Sequence, residues 1–571
     1  MYLRSAPRRN KDGSEVRCLQ LAHNGRDPQK RRPAVQVVYN FGREDAADRE
    51  ALQRLVASIT RFPGPDAALA AAADGLEFTE SRPLGGTWVL DALWARPGIG
   101  KEMCRLLNGR RRDETAGRVL FALVANRALA PSPKPAASRW VNEDVLVTGL
   151  TATSDDACYR AMDRLGEIKN DLERKVFDNL ATLLNLEVDL LFFDTTSTCF
   201  VTEEEDKPLA RDDHGMPLAS GNTNSGEDGK REPAAFRTWG KTEDYRDDLP
   251  QIVIGMAVTR DGIPVRVWCW PGDTGGPALI RQVKDDMQDW CLPKVTWVAD
   301  RGLTSAENRR YLPKGGGSYI IGEKLRSGPA ESRAALSRQG RYKDVAGNLK
   351  VKEVKIAEDE RFVICFNPEA ADRDAAVRAR MIARPGEIIA ESDQLSAGKR
   401  AGLRGVISAK PGLSRYLRVT PGGLLRIDAA RAKAEENLDG KYLLRTADPK
   451  LSAEDIALGY KQLLEVERGW RDMKQVIDLR PVYHRREDRI RAHVILCWLA
   501  LLLARISENA TGRTWPDLRR ELSRIHIGTF AGPAGTFRQR TELTKPQRDI
   551  PRTPGIDAPP RIYQLKLPVQ I

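Results

Sequence analysis

The sequence VDLLFFDTTST, residues 188–198, decides the fold class of this chain. Its first part, 188–193, is a short and nearly continuous apolar run that ends at Asp194 and is followed by Thr and Ser residues. Such a run predicts a buried strand in a sheet that is covered on both faces. A second run, VTWVADRGLTS at 295–305, ends in the same way at Asp300. The two segments predict an α/β core in which two buried strands each end at an aspartate.

The neighbouring segments supply the other elements of a mixed sheet. Two apolar stretches, 251–258 and 263–270, flank the sequence TRDG and predict an antiparallel hairpin. Periodicity further predicts helices at 277–290 and 305–312, and strands at 294–299 and 318–322. The expected order is β-β-β-α-β-α-β, followed by a later helix, so that an antiparallel hairpin leads into parallel crossovers.

The composition is that of a soluble, globular and basic protein. The 571 residues include 92 Lys and Arg against 79 Asp and Glu, a formal net charge of +13, with 41% hydrophobic residues. The longest apolar run, 494–504, is far shorter than the ~20 residues of a membrane-spanning helix. We therefore expect no membrane span. The basic balance favours an anionic partner, of which nucleic acid is the commonest.

Cysteine usage and the N-terminal sequence bear on the compartment. The N-terminal sequence has no apolar stretch of the kind found in secretory signals. Eight cysteines stand singly along the chain, without a CxxC pair or a His/Cys cluster. This pattern argues against a disulfide framework and a structural zinc site, and it predicts a cytoplasmic protein.

Changes in composition divide the chain into five segments. Residues 1–184 are predicted to be a basic DNA-binding region, mostly helical after a β-hairpin. Residues 185–322 and 451–532 are predicted to be the two parts of the α/β core, and 323–450 a β-rich insertion between them. Residues 533–571 are expected to be a basic, Pro-rich tail.

The first segment carries the strongest local excess of positive charge. Residues 1–33 contain nine Lys and Arg against three acids. A hairpin is expected to join 16–22 to 35–39. Helical patterns then follow at 91–107, 113–129 and 155–184. The alternative is an ordinary helical subdomain with a solvated basic face, because no helix-turn-helix motif is evident.

The two strand-end aspartates and a later glutamate form a candidate metal site. Carboxylates at the carboxyl ends of strands converge at one edge of an α/β sheet. With Glu467, such groups can hold two hard divalent cations, which stabilise both oxygens of a phosphoryl displacement. Taken singly, an Asp after a strand is usually a turn residue.

The helix around Glu467 strengthens the interpretation. Tyr460, Leu463, Glu467, Arg471 and Lys474 are spaced so that they share one helical face. Glu467 and Arg471 alone would make an ordinary surface ion pair. Together with two aspartates, this face is better explained as a site for an anion and metal ions.

The three segments resemble the catalytic segments of DDE-type bacterial insertion-sequence transposases, which have an RNase H-like core. YKQLLEVERGWRDMK, at 460–474, matches that group's Y-x2-R-x3-E-x6-K signature at Tyr460, Glu467 and Lys474, with Leu463 where arginine is usual. The stretches RFVICFNPEAADRD, DGKYLLRTAD and RPVYHRREDRIRAHV resemble the branch that carries a β-rich insertion before the glutamate. The resemblance extends from about Gly85 to Ile506.

The resemblance implies a fold, a site and a reaction. The fold is an RNase H-like mixed sheet, β-β-β-α-β-α-β-α, with a partly β insertion and a mainly helical N-terminal region. Asp194, Asp300 and Glu467 would be the catalytic residues and would bind two Mg²⁺ ions, for which Mn²⁺ is expected to substitute. Tyr460, Arg471 and Lys474 would contact phosphates of the transposon end.

The implied substrate is double-stranded DNA. The enzyme would cut the inverted-repeat ends of an insertion sequence and join the freed 3′-OH ends to target DNA. A homodimer on DNA is expected, since two ends must be cut and joined. The alternatives are a catalytically inactive DNA-binding derivative, against which an intact triad argues, and a stand-alone metal-dependent nuclease.

The chain departs from the family pattern in two respects. Leu463 removes one expected phosphate contact. The insertion, 323–455, contains no Trp on which a flipped base could stack. The aromatic residues that could substitute are Tyr342, Phe362, Phe366, Tyr416 and Tyr442.

Several other residues have two interpretations. Arg301 is either a phosphate ligand or a residue that leads into a helix. Arg480, Arg485 and Arg486 form a plausible surface for the DNA backbone, or a solvated charge run. His493 lies on an apolar helix and is expected to be a hydrogen-bonded core residue. Trp268 and Trp270 alternate on one strand and are expected in the core.

Overall fold

The fold is described from a computed structural model. It describes residues 2–9, 15–26, 33–48, 50–52, 77–108, 114–184, 186, 188–212, 214–218, 233–242, 246–288, 290, 292, 294–357, 360–532 and 535–566. The predicted hairpin connection at 27–32 and the predicted helix start at 113 lie outside these residues.

The strands, in chain order, are β1 (Tyr2–Arg9), β2 (Glu15–Arg26), β3 (Pro33–Arg43), β4 (Glu77–Pro83), β5 (Leu190–Cys199), β6 (Gln251–Val258), β7 (Pro264–Pro271), β8 (Thr296–Ala299), β9 (Ser318–Glu323), β10 (Lys343–Ala346), β11 (Leu349–Ala357), β12 (Glu360–Phe366), β13 (Leu417–Val419), β14 (Leu425–Ile427), β15 (Lys441–Thr446), β16 (His526–Gly532), β17 (Gly535–Arg540) and β18 (Ile562–Lys566).

The α-helices are α1 (Gly85–Ala95), α2 (Ile99–Asn108), α3 (Glu114–Leu129), α4 (Lys134–Arg139), α5 (Asp155–Glu167), α6 (Lys169–Leu184), α7 (Gly276–Asp286), α8 (Ala306–Tyr311), α9 (Ala330–Ser337), α10 (Pro368–Ile389), α11 (Ala397–Ser408), α12 (Pro411–Ser414), α13 (Ala429–Glu436), α14 (Ala453–Lys461), α15 (Leu464–Gln475), α16 (Glu487–Thr511), α17 (Trp515–Leu522) and α18 (Lys545–Arg552).

The chain divides into two compact units. The smaller unit contains Met1–Ser81, Gly528–Gln539 and Ile562–Ile571, and the larger contains Arg82–Ile527 and Arg540–Arg561. In the smaller unit, β2 pairs with β3 and β1 pairs with β2, all antiparallel. The predicted hairpin is confirmed, and the sheet has β1 as a further strand.

A large mixed sheet forms the centre of the larger unit. Its strand order is β10-β11-β12-β15-β9-β8-β5-β6-β7. β5, β6 and β7 are antiparallel neighbours, whereas β5, β8 and β9 run parallel to one another. This confirms the predicted α/β class and the predicted order β-β-β-α-β-α-β.

The insertion is part of this sheet. β15 pairs antiparallel with β9, and β12, β11 and β10 add to it in turn. The strands predicted as belonging to an inserted subdomain therefore lengthen the central sheet, because β9 offers a free backbone edge to them. Its other elements, including α10 and the small β13–β14 sheet, pack around Ile389, Ile407 and Leu425.

The two faces of the sheet carry separate cores. Phe192 and Val298 pack on one face with residues of α15 and α16, and Phe193 and Trp297 pack on the other with residues of α7. α16 is long and apolar enough to cross a membrane, but 94% of its most apolar stretch is buried inside the protein. It is a core helix.

The C-terminal segment contains regular structure. Residues 533–571, expected to be a tail, include β17, α18 and β18. β17 pairs antiparallel with β18, and α18 begins with a capping box between Thr544 and Gln547. Pro546 lies in the first turn of α18, where a proline is tolerated.

Candidate active site

Asp194 and Asp300 occupy neighbouring positions on adjacent parallel strands. The last residue pair between β5 and β8 is Phe193 with Ala299, and each of these residues is followed by an aspartate. β8 ends there. β5 continues to Cys199, because its residues from Asp194 onward still pair with β6. The prediction that the first strand ends at Asp194 is therefore wrong, although Asp194 does lie where pairing with β8 ends.

The two aspartates belong to the same face of the sheet. Side chains alternate between faces along a strand, so Asp194 follows Phe192 and Asp300 follows Val298. Asp300 keeps an extended backbone, with φ −75° and ψ 166°. Phe192 and Val298 pack in the core that also contains Val466 of α15. The face that carries both aspartates is therefore the one that α15 covers.

α15 approaches the sheet beside Asp194. A Cβ added at Gly469 would lie 2.7 Å from Cε of Met256, so a larger residue at this position would displace the Met256 side chain. Met256 is the β6 partner of Asp194. Glu467 precedes Gly469 by two positions, and its side chain is exposed. The fold thus brings the helix that carries Glu467 to the strand that carries Asp194.

The helix of the signature is divided at Gln462. Ser452 caps the first part, since its hydroxyl accepts a hydrogen bond from the backbone N–H of Asp455 at 3.0 Å. α14 ends at Lys461 and α15 begins at Leu464. Leu463 is only 6% exposed and belongs to the core. It lies with the buried stripe of α15, whereas Glu467 and Arg471 lie beside that stripe and are exposed.

Tyr460 connects this helix pair to Asp300. Its hydroxyl donates a hydrogen bond to Oδ1 of Asp300 at 2.9 Å, and its ring stacks on Tyr442 with 6.0 Å between centroids. Burial raises the pKa of Tyr460, and the negative charges of Asp300 and Glu467 raise that pKa further. The structure thus places Tyr460, predicted to contact a phosphate, against an aspartate. Spacing alone gave no signal for this bond, because it joins residues 160 positions apart.

The elements that carry Asp194, Asp300 and Glu467 are neighbours, but the three carboxylates are not arranged as a set of metal ligands. Across the ranges that the structure describes, no group of three or more His, Cys, Asp and Glu side chains is arranged so that it could hold a metal ion. The Asp300 side chain is 48% exposed, and its Oδ2 lies 4.0 Å from Nε of Arg301, which is 71% exposed. The side chain of Glu467 makes no hydrogen bond or ion pair with another described residue, and because it is exposed it can turn.

The basic residues predicted to contact DNA differ in their exposure and in their pairing within the chain. Arg301, Arg471 and Arg485 are exposed, and Lys474 and Arg480 are partly buried. Arg486 is exposed and donates from Nε to Oδ1 of Asp488 at 3.1 Å. Its charge is thus partly neutralised within the chain.

Other basic residues of the RPVYHRREDRIRAHV stretch serve the fold. Arg489 donates to both carboxylate oxygens of Asp163, at 2.8 and 3.0 Å. Arg491 bonds Glu487 and the carbonyl of Cys269. These two arginines join α16 to α5 and to the central sheet.

Two expectations about core residues are confirmed. His493 is 4% exposed, and its Nε2 lies 3.0 Å from the carbonyl oxygen of Leu479. Trp268 and Trp270 are buried and stacked, with ring planes 3° apart.

The aromatic residues of the insertion differ in their exposure. Phe362 and Tyr416 are buried, at 0% and 2% exposure, so neither presents a ring face to solvent. Tyr342, Phe366 and Tyr442 are partly buried. Tyr442 already stacks on Tyr460. Only partly buried rings remain as candidates for base stacking.

Two family models match parts of the chain. The family model described as "Transposase DDE domain" matches residues 230–503, a range that includes Asp300 and Glu467 but not Asp194. The model described as "IS1634 family transposase, N-terminal domain" matches residues 3–69. No curated protein matches the chain. A structure titled "Cryo-EM structure of piggyBac transposase synaptic complex with hairpin DNA (SNHP)" is similar over 78% of this chain and 82% of that chain, at 12% identity and a TM-score of 0.34.

Proposed function

The chain belongs to the DDE transposases of insertion sequences, enzymes that cleave and join DNA with the help of metal ions, and from this premise we propose that Asp194, Asp300 and Glu467 are its catalytic carboxylates. The observation that carries the proposal is the register of β5 and β8. Phe193 pairs with Ala299, so the next residue of each strand is an aspartate on the face that α15 covers.

The donor set suits a hard divalent cation. Mg²⁺ prefers carboxylate oxygens and retains water or phosphate ligands, and two such ions serve phosphoryl transfer in many nucleases. We propose that the three carboxylates hold two Mg²⁺ ions, with Mn²⁺ as a substitute. When bound, the ions would activate water and stabilise the attacking and leaving oxygens. Asp300 is half exposed and the Glu467 side chain is unpaired, so both carboxylates are accessible to the ions.

The chain's own residues contribute orientation and charge. The Tyr460 hydroxyl donates to Oδ1 of Asp300 and limits the rotation of that carboxylate. Tyr460 is therefore a positioning residue in this proposal. Exposed Arg471 and Arg301 flank the carboxylates in sequence, and their guanidinium groups can donate two hydrogen bonds to a phosphate. Lys474, Arg480, Arg485 and Arg486 would extend this basic surface along the DNA.

The five strands β7-β6-β5-β8-β9 support an RNase H-like core. They combine an antiparallel three-stranded half with two parallel strands, in the order expected for that core. In this proposal β15, β12, β11 and β10 are the insertion, built onto the far edge of the core sheet.

The substrate partners follow from the family. We propose that the protein binds the inverted-repeat ends of its element and the target DNA in the cytoplasm, with residues 1–184 contributing to DNA binding. One set of three carboxylates supplies one catalytic centre, whereas an element has two ends. A homodimer assembled on DNA provides two centres related by a two-fold axis.

Replacement of Asp300 tests the proposed site. Asp300→Asn removes one charge that would hold metal and leaves the basic surfaces that dominate DNA affinity. We expect no strand cleavage of duplexes carrying the inverted repeat that flanks the gene, with binding nearly unchanged. Asp261→Asn, at the exposed β6–β7 turn, is the matched control and should cleave normally. Cleavage by Asp300→Asn at the wild-type rate in Mg²⁺ would refute the assignment.

A further inference from the structure

A cavity in the larger unit is lined by positively charged side chains. It has a volume of about 250 Å³ and lies between the α3–α4 connection, α5 and the segment that precedes α16. Its lining includes Arg127, Lys134, Tyr159, Tyr483, His484 and His493. Tyr483 is 68% exposed, so the cavity opens to the surface beside it. None of these residues belongs to the proposed catalytic site.

Lys134 is the unusual member of this lining. It is 3% exposed and makes no hydrogen bond or ion pair with any described residue. Burial lowers its pKa to about 7, and the charge of Arg127 contributes to the shift. An isolated buried ammonium group is costly unless a partner compensates it. Elsewhere the chain supplies such a partner: partly buried Lys169 lies 2.7 Å from the carboxylate of buried Glu173.

The neighbours of Lys134 add positive charge. Arg127 is 4% exposed and donates to the backbone carbonyls of Asp478 and Ser132, while its Nε has no partner. Burial lowers the pKa of His484 to about 4 and also lowers that of His493, and the charge of Lys134 lowers both. No carboxylate contributes to the pKa shift of Lys134 or of either histidine. The negative charge of Asp478 raises the pKa of Arg127. The lining thus lacks a counter-ion.

We propose that this cavity binds a phosphate group, with the Lys134 ammonium as its main hydrogen-bond donor and Arg127 as a second source of positive charge. A phosphate group has several acceptor oxygens and a negative charge, which is what the lining lacks. A 250 Å³ cavity is large enough for such a group together with water. The phosphate is either free or part of DNA.

Thermal stability in phosphate tests the site without any cleavage assay. The full chain is heated in phosphate and in chloride at equal pH and ionic strength. We expect the wild-type Tm to be about 2–4 °C higher in saturating phosphate. Lys134→Met keeps the length of the side chain but removes its charge. It should raise Tm in chloride, because an uncompensated buried charge is gone, and abolish the response to phosphate. Lys101→Met, at an exposed position of α2, should respond as wild type does.

A second arm identifies the source of the phosphate. Binding is compared for a duplex with a 5′-phosphate at its end and the same duplex with a 5′-hydroxyl. Tighter binding of the phosphorylated duplex by about five- to tenfold, lost in Lys134→Met, assigns the site to DNA. Equal binding, with the Tm response retained, assigns it to free phosphate. A wild-type Tm that is the same in phosphate and chloride, or a full response in Lys134→Met, would overturn the proposal. Neither result would affect the proposed catalytic carboxylates, which Asp300→Asn tests separately.

Discussion

The Tyr460 hydroxyl donates a hydrogen bond to Oδ1 of Asp300 across 2.9 Å, and so joins the helix pair α14–α15 to the end of strand β8. The two residues come from opposite sides of the insertion. Asp300 precedes the strands that lengthen the sheet, and Tyr460 follows them. This bond fixes the position of a carboxylate that is otherwise half exposed.

We expect Tyr460→Phe to slow DNA cleavage about tenfold with little change in DNA binding. The phenylalanine keeps the ring that stacks on Tyr442 but no longer orients Asp300, and a misplaced catalytic group reduces rate more than affinity. Single-turnover cleavage and equilibrium binding measure the two effects separately. Tyr442→Phe, which removes the hydroxyl of the neighbouring ring, is the control and should retain the wild-type rate. A Tyr460→Phe variant that binds DNA poorly but cleaves normally would instead favour a phosphate contact.

We expect Leu463→Arg, the residue usual in the family signature, to destabilise the protein by about 2–4 kcal/mol. Leu463 is 6% exposed in the main core, and burial of an unpaired guanidinium is costly. The adjacent Leu464 is 60% exposed, so Leu464→Arg should change the free energy of unfolding by less than about 0.5 kcal/mol. Urea denaturation of both variants provides the comparison. Equal stability of the two would show that position 463 faces solvent.

We expect stability to fall as the pH decreases from 6.5 towards 4. Burial lowers the pKa of His484 from 6.5 to about 4, so within this range the unfolded chain binds the proton more readily than the folded one. Protonation therefore favours unfolding, and the contribution is fully recovered above pH 6.5. His484→Gln should reduce the loss between pH 7 and pH 5 by about 1 kcal/mol, after allowance for partial exposure.

Urea midpoints at the two pH values measure this difference. Wild type and His484→Gln are compared in the same buffers. A loss that is identical in His484→Gln and wild type would place His484 in solvent.

We expect the protein to dimerise when it binds the DNA ends. A charge of +13 on each subunit opposes association until phosphates neutralise it. Mass measurement should therefore give a monomer for the free chain and two protomers on end DNA. A mixture of Asp300→Asn with a variant altered in the basic N-terminal region, such as Arg17→Ala, should regain cleavage. Full-rate cleavage by one protomer on one end, with no complementation, would exclude the dimer.

The order of the core strands was predictable because each strand has its own local signal. The apolar run before Asp194, the TRDG turn and the run before Asp300 are all short-range patterns, and the structure confirms the elements they predict. The end of β5 was not predictable in this way. Thr is favoured in strands, but Thr and Ser also serve in turns, so residues 195–198 do not show by themselves that the strand continues. Their pairing with β6 does.

The other features that the sequence did not predict depend on contacts between distant segments. The pairing of β15 with β9 decides that the insertion lengthens the central sheet, and no local pattern reports which edge a strand joins. The burial of Lys134 depends on α5 and on the segment around His484, which are far from it in sequence. Neither relationship can be deduced from periodicity or composition.

The number of Mn²⁺ ions bound at the proposed site tests the account most directly. It is measured by electron paramagnetic resonance on the full chain in complex with a duplex that carries the inverted repeat, against the duplex alone. The wild type should bind two ions, and Asp194→Asn, Asp300→Asn and Glu467→Gln should each bind at least one fewer. Glu465→Gln, two positions away on α15, is the control and should bind two. Two ions in all three triad variants would contradict the assignment of Asp194, Asp300 and Glu467 as the metal ligands.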